Sequence, residues 1–401
     1  MTYFKDIDIR TADSPSIDAF GKLRVSNPTT LFDSKQLHDS QPLKWDDSET
    51  SGSGTTSTHS TINSSTTIGV AATTAGTRVR QTFMRFNYQP AKSQQVFMTF
   101  LLDKSGGGTG INRFLGLYDG NDGIRLRDEE GTYKFEILKN GSVTDSIAQS
   151  SWNLDTLDGS GKSGFTLDFS KSAILTFDFE WLGVGRVRIG FVIDGLIVYA
   201  HEFLNTNIKT SVYMSTPNLP LRYEIQNDGT GAASELEHIC SSVISEGGSQ
   251  ELGKLGYIST DGTHVDANTA DTLYAIIGMR LKSTHLDAVI KQVQYSLLAE
   301  TSDAFEYVLL MNPTVAGTFT YSGLTNYAIE YATGATANTV TGGTAITGGF
   351  ASSAAGLIDK AVNAVYIGSA IDGTPDELVL CARPLSANLD IQGSITFREL
   401  S

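Results

Sequence analysis

Residues 165–224 read FTLDFSKSAILTFDFEWLGVGRVRIGFVIDGLIVYAHEFLNTNIKTSVYMSTPNLPLRYE, and this stretch decides the fold of the chain. Apolar residues occupy every second position from Phe165 to Phe169 and again from Leu175 to Trp181, which is the period of a β-strand. Further on, two apolar runs flank Asp194-Gly195, a dipeptide that suits a two-residue hairpin turn with both φ angles positive. The stretch therefore predicts antiparallel β-strands joined by tight turns.

Length, composition and charge are consistent with this prediction. A chain of 401 residues suggests two or three domains, and its 40 Gly against 9 Pro fit strands joined by many tight turns. The balance of 29 Lys and Arg against 44 Asp and Glu gives a net charge of −15, which disfavours nucleic acid and anionic membranes as partners. No apolar run reaches the ~18 residues that a membrane-spanning helix needs.

The termini and the cysteines predict a protein made in a cytoplasm. The opening sequence MTYFKDIDIRTADSPS has charged residues where a secretory signal would have an apolar core. Cys240 and Cys381 are too few for a disulfide scaffold and have no Cys-x-x-Cys spacing. We expect both thiols to be reduced and partly buried.

Four segments follow one another along the chain. Residues 1–48 mix turn-forming residues with single aromatics and predict an extended N-terminal arm, and residues 49–77 form a Ser/Thr/Gly-rich tract that we interpret as a linker or a solvent-facing meander. Residues 78–240 have turn signals every 8 to 12 residues or so, which indicates a β-sandwich or barrel. Residues 241–401 predict a second β domain, in which Val289–Leu297 suits a strand better than a helix because β-branched and aromatic residues dominate.

Two turn-like stretches resemble binding loops without completing them. Gly159–Ser163 resembles the end of a phosphate-binding loop, but Thr156 stands where that loop needs its first glycine. Asp119–Gly123 suggests calcium, but Ile124 occupies the position at which an EF-hand loop requires glycine. We interpret both as surface turns. Residues 147–157 are ambiguous between a loop and one helical turn.

Asp178 and Glu180 are the strongest candidates for catalysis. They lie two positions apart on one predicted strand, and a retaining glycosidase needs two carboxyl groups about 5 Å apart. The strand resembles the Glu-x-Asp-x-Glu strand of laminarinase-type hydrolases, but Thr176 replaces the first Glu, which would be the nucleophile. We therefore expect both carboxylates on the outer face of the sheet, paired with Arg186 or Arg188.

No other catalytic, cofactor or metal site follows from the residues. The six histidines are scattered singly, without the paired spacing of zinc sites, and no Gly-x-Ser-x-Gly motif occurs. The sequence thus predicts no catalytic residues, no cofactor and no metal ligands. The histidines are His38, His59, His201, His238, His264 and His285.

Several segments resemble a family of structural proteins of virus particles, found mainly in tailed bacteriophages. They are SIDAFGKLRVSNPTTLFDSKQ (16–36), FNYQPAKSQQVFMTF (86–100), SSWNLDTLDGSGKSGFTLDFSKS (150–172), FDFEWLGVGRVRIGFVIDG (177–195), VYMSTPNLPLRYEI (212–225) and AFEYVLLMNPTVAGTFT (304–320). The resemblance implies a non-enzymatic head-decoration or fibre-like protein with a lectin-like β-sandwich. The expected fold is therefore all-β: an antiparallel β-sandwich of the jelly-roll or concanavalin-like type, a second β-sandwich after it, and an extended N-terminal arm.

The same resemblance implies partners and a place. We expect a virion protein that assembles in the host cytoplasm, docks on other capsid or tail proteins through its arm, and forms a homo-oligomer, with a trimer as the expected number. The arm residues expected to dock are Asp18, Phe20, Arg24, Leu31 and Phe32. The alternative hypothesis is a carbohydrate-binding adhesin for host surface polysaccharide, with Trp152 or Tyr118 as candidate sugar-binding aromatics.

Overall fold

The computed structural model describes residues 16–25, 27–301, 303–352, 358–386 and 388–400, with the side chains of 358–364 outside this description. It divides into two compact units. The first unit holds the described residues up to Thr82 together with Phe86–Gln250, and the second holds Phe83–Arg85 and the described residues from Glu251 onward. The predicted arm residues 1–15 lie outside the described part of the chain.

The first unit contains fifteen strands and one short 3-10 helix, Gln149–Ser151. The strands are β1 Thr29–Lys35, β2 Trp45–Gly52, β3 Thr55–Ser60, β4 Ser65–Val70, β5 Gly76–Thr82, β6 Gln94–Ser105, β7 Ile111–Tyr118, β8 Gly123–Glu129, β9 Thr132–Lys139, β10 Ser142–Ala148, β11 Ala173–Phe179, β12 Val187–Ile193, β13 Leu196–Phe203, β14 Leu221–Asn227 and β15 Ser234–Ser245.

These strands form two antiparallel sheets. An eight-stranded sheet has the order β13-β12-β11-β6-β15-β4-β3, with β1 also paired to β15, and a seven-stranded sheet has the order β10-β9-β8-β7-β14-β5-β2. Both sheets contribute fully buried side chains to the core, among them Phe177 on β11, Leu115 on β7 and Tyr223 on β14. The predicted antiparallel all-β fold is thus confirmed.

The hairpin at the centre of residues 165–224 forms as the sequence predicts. Asp194 and Gly195 both have positive φ angles, 49° and 81°, and join β12 to β13. An L-residue at positive φ is strained unless it is of the Asn or Asp type, and glycine carries no such strain, so this dipeptide suits the turn. Strand β11 then pairs with β12 on one side and with β6 on the other.

Two short segments of the first unit, residues 165–169 and 147–157, are not regular strands. Residues 165–169, predicted as a strand, form a loop with a single bridge between Asp158 and Thr166. Of the three apolar residues there, only Phe169 is buried, with its ring 4.0 Å from that of Tyr133, whereas Phe165 is exposed. The ambiguous residues 147–157 contain one turn of 3-10 helix.

The Ser/Thr/Gly-rich tract 49–77 is not a linker. It lies within β2 to β5, which pair as part of both sheets, and Ile68 and Val70 are buried. The interpretation as a linker is therefore wrong, and the alternative of a solvent-facing meander is closer to the structure, since most residues of β2 and β3 are exposed or half-buried. Strands form there despite the low apolar content, because β-branched threonine favours strands and backbone pairing needs no large side chain. Likewise, the predicted arm contributes β1, which pairs with β15 along Thr29–Lys35.

The second unit contains thirteen strands. They are β16 Lys254–Ser259, β17 Val265–Ala267, β18 Tyr274–Leu281, β19 Ile290–Ala299, β20 Ala304–Met311, β21 Thr314–Val315, β22 Ser322–Gly323, β23 Ile329–Thr333, β24 Val340–Thr341, β25 Thr344–Ser352, β26 Ile358–Ile367, β27 Leu378–Pro384 and β28 Leu389–Glu399. The preference for a strand over a helix at Val289–Leu297 is confirmed by β19.

Two antiparallel sheets enclose the core of this unit. A five-stranded sheet has the order β16-β28-β19-β26, with β17 also paired to β28, and a six-stranded sheet has the order β22-β23-β18-β27-β20-β25. One apolar cluster contains residues of both sheets, among them Ile276, Leu309 and Phe397. The boundary between the units lies after Gln250, ten residues beyond the predicted boundary at 240, because β15 continues to Ser245. Within the described ranges, no helix is long and apolar enough to cross a membrane.

Candidate functional site

Asp178 lies at the centre of a buried polar network on the eight-stranded sheet. Its Oδ2 accepts hydrogen bonds from the Arg188 guanidinium, from Arg24 Nη2 at 2.6 Å and from the Tyr199 hydroxyl at 2.8 Å. Its Oδ1 accepts a hydrogen bond from Ser93 Oγ at 2.6 Å. Asp178 and Arg188 are both fully buried. Two guanidinium groups thus neutralise one carboxylate in a place that water does not reach.

The N-terminal segment 16–25 covers this network. Arg188 donates to the Ile17 carbonyl at 2.7 Å, and Arg186 Nε donates to the Ala19 carbonyl at 3.2 Å. A bridge between Ile17 and Leu23 closes the segment into a tight loop. Asp178 therefore lies on the outer face of β11 and pairs with Arg188, as predicted. It is nevertheless fully buried, because the N-terminal segment packs over it.

The five residues predicted to dock on a particle protein have different environments. Asp18 is buried and accepts a hydrogen bond from the Lys22 backbone N–H at 2.8 Å. Arg24 binds Asp178, and Phe32 packs 5.2 Å from the ring of Phe86. These three serve contacts within the first unit. Phe20 and Leu31 are half-buried.

The same segment also exposes apolar side chains. Leu23 is 62% exposed and Val25 is 86% exposed, although both lie within a few residues of the buried Ile17. Segment 16–25 therefore packs on its own sheet while Leu23 and Val25 remain exposed, next to the exposed Lys22.

The geometry offers no glycosidase pair at Asp178 and Glu180. A retaining mechanism needs one free carboxylate as nucleophile, and both oxygens of Asp178 are occupied by hydrogen-bond donors. Thr176 is fully buried and accepts a hydrogen bond from Gln95 at 3.3 Å. Burial raises the pKa of Glu180, whose Oε1 accepts a hydrogen bond from the Arg186 backbone N–H at 3.0 Å. These groups therefore serve structure rather than an acid and nucleophile pair.

The aromatic residues proposed for sugar binding are packing residues. Trp152 is 4% exposed, and its ring stacks on that of Phe135 at 4.2 Å. Tyr118 is 1% exposed, because the guanidinium groups of Arg125 and Arg222 each lie 5.3 Å from its ring on the outer face of the seven-stranded sheet. Burial raises the pKa of Tyr118 well above its usual value. Neither ring is available to a ligand.

The turn that resembles a phosphate-binding loop binds a carboxylate of its own chain. Asp155 is buried and accepts hydrogen bonds from the backbone N–H groups of Leu157 at 2.9 Å and Ser163 at 2.6 Å. A β-carbon on Gly161 would lie 1.9 Å from Asp155 Oδ1, so the glycine is needed for this close approach. The internal carboxylate would repel a phosphate, and the interpretation as a turn agrees with this geometry.

An open groove of about 460 Å³ lies beside this loop in the first unit. Its lining combines hydroxyl and amide groups with an aromatic ring and one carboxylate: Thr132, Tyr133, Gln149, Ser150, Asp158 and Thr166. Hydrogen bonds from Ser160 lower the pKa of Asp158 to about 2, and burial raises the pKa of Tyr133 to about 12. At neutral pH the groove therefore presents an ionised carboxylate and a neutral phenol.

The second unit brings together a histidine and carboxylates that no sequence spacing indicated. His264 Nδ1 lies 2.9 Å from Glu300 Oε2, and its Nε2 lies 3.1 Å from Asp266 Oδ1. One ligand atom each of His264, Asp266 and Asp390 lie within 4.8 Å of one another, which is close enough to hold a cation. Asp266 is directly opposite Asp390 in the pairing of β17 with β28, so only the tertiary fold assembles this group.

The histidines predict a pH dependence that distinguishes the two units. Burial lowers the pKa of His201 to about 4, and the hydrogen bond to Glu300 raises that of His264. His201 therefore contributes stability to the folded first unit above pH 6.5, and this contribution is lost as the pH falls toward 4. The contribution of His264 to the second unit has the opposite dependence: it is complete below pH 6.5 and is lost as the pH rises through the pKa of the folded state. We expect NMR titration of the imidazole protons to give a midpoint near 4 for His201 and above 6.5 for His264; equal midpoints would contradict the two environments.

No protein-family model and no curated protein matches the chain. Solved structures do match at low identity. A protein of unknown function from Shewanella oneidensis MR-1 is 12% identical over 58% of this chain and 92% of its own, with a TM-score of 0.37. Arcelin-5, a lectin-like defence protein from Phaseolus vulgaris, is 8% identical over 55% of this chain and 99% of its own, with a TM-score of 0.34. A carbohydrate esterase from the Shiga toxin-encoding bacteriophage phi24B is 11% identical over 54% of this chain and 99% of its own, with a TM-score of 0.32. These similarities assign the chain to no family.

Proposed function

We propose that this chain is a non-enzymatic structural protein of a virus particle, located on the outside of the capsid or tail of a tailed bacteriophage. The proposal rests on the structural role of Asp178. The carboxylate that most suggested catalysis is fully buried, and it fixes an N-terminal segment to the face of a rigid sheet. The resemblance of residues 16–36 and 150–225 to phage virion proteins covers both the segment and the sheet that binds it.

In this proposal the N-terminal segment connects the unit to its neighbours. Segment 16–25 is fixed to the sheet by its backbone carbonyls and Arg24, so a particle protein would meet the side that remains open. That side carries Leu23 and Val25, with Phe20 and Leu31 half-buried nearby in sequence. In this proposal the particle protein buries Leu23 and Val25. Assembly in the host cytoplasm and a trimeric homo-oligomer belong to the same proposal.

The proposal is tested on particles. An antibody raised against the purified chain should label intact particles in electron micrographs, and mass spectrometry of gradient-purified particles should find the chain in a fixed ratio to the major capsid protein. If the chain stays in the soluble fraction of the lysate and no particle is labelled, the virion role is wrong. Release of reducing sugar from a polysaccharide by the purified chain would contradict its non-enzymatic nature.

Binding of host surface polysaccharide is the second candidate function. It is favoured by two open grooves, one in each unit, of about 460 and 350 Å³, lined by hydroxyl and amide groups with one tyrosine each. Ligand sites of this size commonly combine an aromatic surface with a few convergent polar groups. A glycan array with the full chain tests the candidate, and absence of binding to every polysaccharide on the array would leave the structural role alone.

A further inference from the structure

The second unit has a groove on the outer face of its five-stranded sheet that no motif indicated. Three neighbouring strands form it, with Tyr257 on the edge strand β16, Ser394 on β28, and Ser296 on β19. The volume is about 350 Å³, within the range of about 300–1,000 Å³ that is typical of small-molecule sites.

Strand register explains why these side chains share one face. Tyr257 is directly opposite Thr396, and Ser259 is directly opposite Ser394, which in turn is opposite Ser296. Side chains alternate between the two faces of a strand, and in β28 every odd-numbered residue from Leu389 to Glu399 is buried. The even-numbered residues therefore present the hydroxyl and amide groups of Gln392, Ser394 and Thr396 on the outer face, with Asp390 and Arg398 at the two ends of the row.

Tyr257 differs from Tyr118, the tyrosine that the sequence suggested for sugar binding. It is 62% exposed at the edge of the groove, whereas Tyr118 is 1% exposed. Leu298, 44% exposed, is the apolar residue on the far strand of the same groove. An exposed aromatic ring beside hydroxyl groups matches the surface of a sugar, which has an apolar C–H face and a rim of hydroxyl groups that donate and accept hydrogen bonds.

The charge of the groove selects the class of sugar. Asp261 is the one charged residue among those that line it, and the other polar lining residues are uncharged Ser, Thr and Gln. The chain as a whole has a net charge of −15. An anionic polysaccharide would therefore be repelled both by Asp261 and by the surrounding field, whereas a neutral one would not.

We propose that the groove between β16, β28 and β19 binds a neutral polysaccharide, with Tyr257 stacking on one sugar ring while Ser296, Gln392 and Ser394 bind its hydroxyl groups. This inference rests on the second candidate function and assigns it to a site in the second unit. It is independent of where the chain sits on a particle.

Affinity electrophoresis of the full chain tests the inference. Native gels would contain dextran, laminarin or galactomannan as neutral probes, or alginate as an acidic probe. We expect at least one neutral polysaccharide to retard the chain, alginate not to retard it, and Tyr257→Ala to weaken the interaction at least tenfold. Ser394→Phe, which fills the groove from the central strand, should have the same effect without depending on the tyrosine.

Two control variants distinguish the loss of this site from damage to the second unit and from binding in the groove of the first unit. Phe350→Ala removes a side chain that is 72% exposed on β25 of the other sheet of the same unit, and it should bind as the unchanged chain does. Tyr133→Ala probes the groove of the first unit, to which this inference does not assign the polysaccharide. If Tyr133→Ala abolishes retardation and Tyr257→Ala does not, the second candidate function stands and this inference is wrong. Retardation by alginate alone, or by none of the neutral probes, also overturns it.

Discussion

Arg188→Met should lower the free energy of unfolding of the first unit by about 3–5 kcal/mol, because it leaves the buried Asp178 carboxylate without its fully buried partner. Arg24 and Tyr199 still contact the carboxylate, but Arg24 is 15% exposed and belongs to the segment that Arg188 itself holds through the Ile17 carbonyl. The variant therefore weakens the sheet and loosens the segment at the same time.

Chemical denaturation followed by tryptophan fluorescence measures this effect in the first unit alone. The three tryptophans of the chain, Trp45, Trp152 and Trp181, all belong to that unit. Lys209→Met is the matched control, since Lys209 forms a half-exposed ion pair with Asp145 at 2.6 Å and its loss should change the unfolding free energy by about 1 kcal/mol or less.

Two further measurements show whether Arg188→Met destabilises the unit through the unpaired charge of Asp178 or through lost packing. Adding Asp178→Asn to Arg188→Met removes the unpaired charge and should recover part of the stability. Trypsin should cleave after Lys22 and Arg24 faster in Arg188→Met than in the unchanged chain, because the segment is less firmly held. If Arg188→Met is no less stable than Lys209→Met, the network does not stabilise the unit.

Features of the fold that depend on residues close to one another in the sequence could be predicted. The period of two in β11 and β12 and the Asp194-Gly195 turn are local, since backbone sterics and alternation act over a few residues. The tract 49–77 could not be predicted in this way. Its strands are stabilised by partners such as β15, which follows more than 150 residues later, and small side chains carry little sign of that pairing.

The polar clusters could not be predicted either, because their residues are far apart in the sequence. Ser93, Asp178, Arg188 and Tyr199 meet only when β6, β11, β12 and β13 are paired. Arg24 joins them only when the N-terminal segment has folded over the sheet. The sequence indicated Arg186 or Arg188 as a partner of Asp178, because only one turn separates them from it, but it could not show that Arg24 would complete the network. His264, Asp266 and Asp390 are likewise assembled by the pairing of β17 with β28.

Trp45→Ala should lower the free energy of unfolding of the first unit by about 3–5 kcal/mol, since it leaves a large cavity in a well-packed site. Trp45 is 2% exposed, its ring lies 4.5 Å from that of His238, and its Nε1 donates to Ser34 Oγ at 2.8 Å. Fluorescence of Trp152 and Trp181 reports the unfolding of the variant, and Trp45→Phe should recover part of the loss by refilling the site.

This packing decides how the docking role of the N-terminal region must be tested. Deleting residues 2–48 removes β1 and Trp45, so we expect the first unit to unfold and any loss from the particle to follow from that alone. Replacing the exposed Leu23 and Val25 by serine instead leaves Ile17, Arg24 and the Asp178 network in place, and the first unit should keep its unfolding midpoint. Loss of this double variant from particles would then report docking itself. A chain lacking residues 2–48 that unfolds at the unchanged midpoint would show that β1 and Trp45 do not belong to the cooperative core.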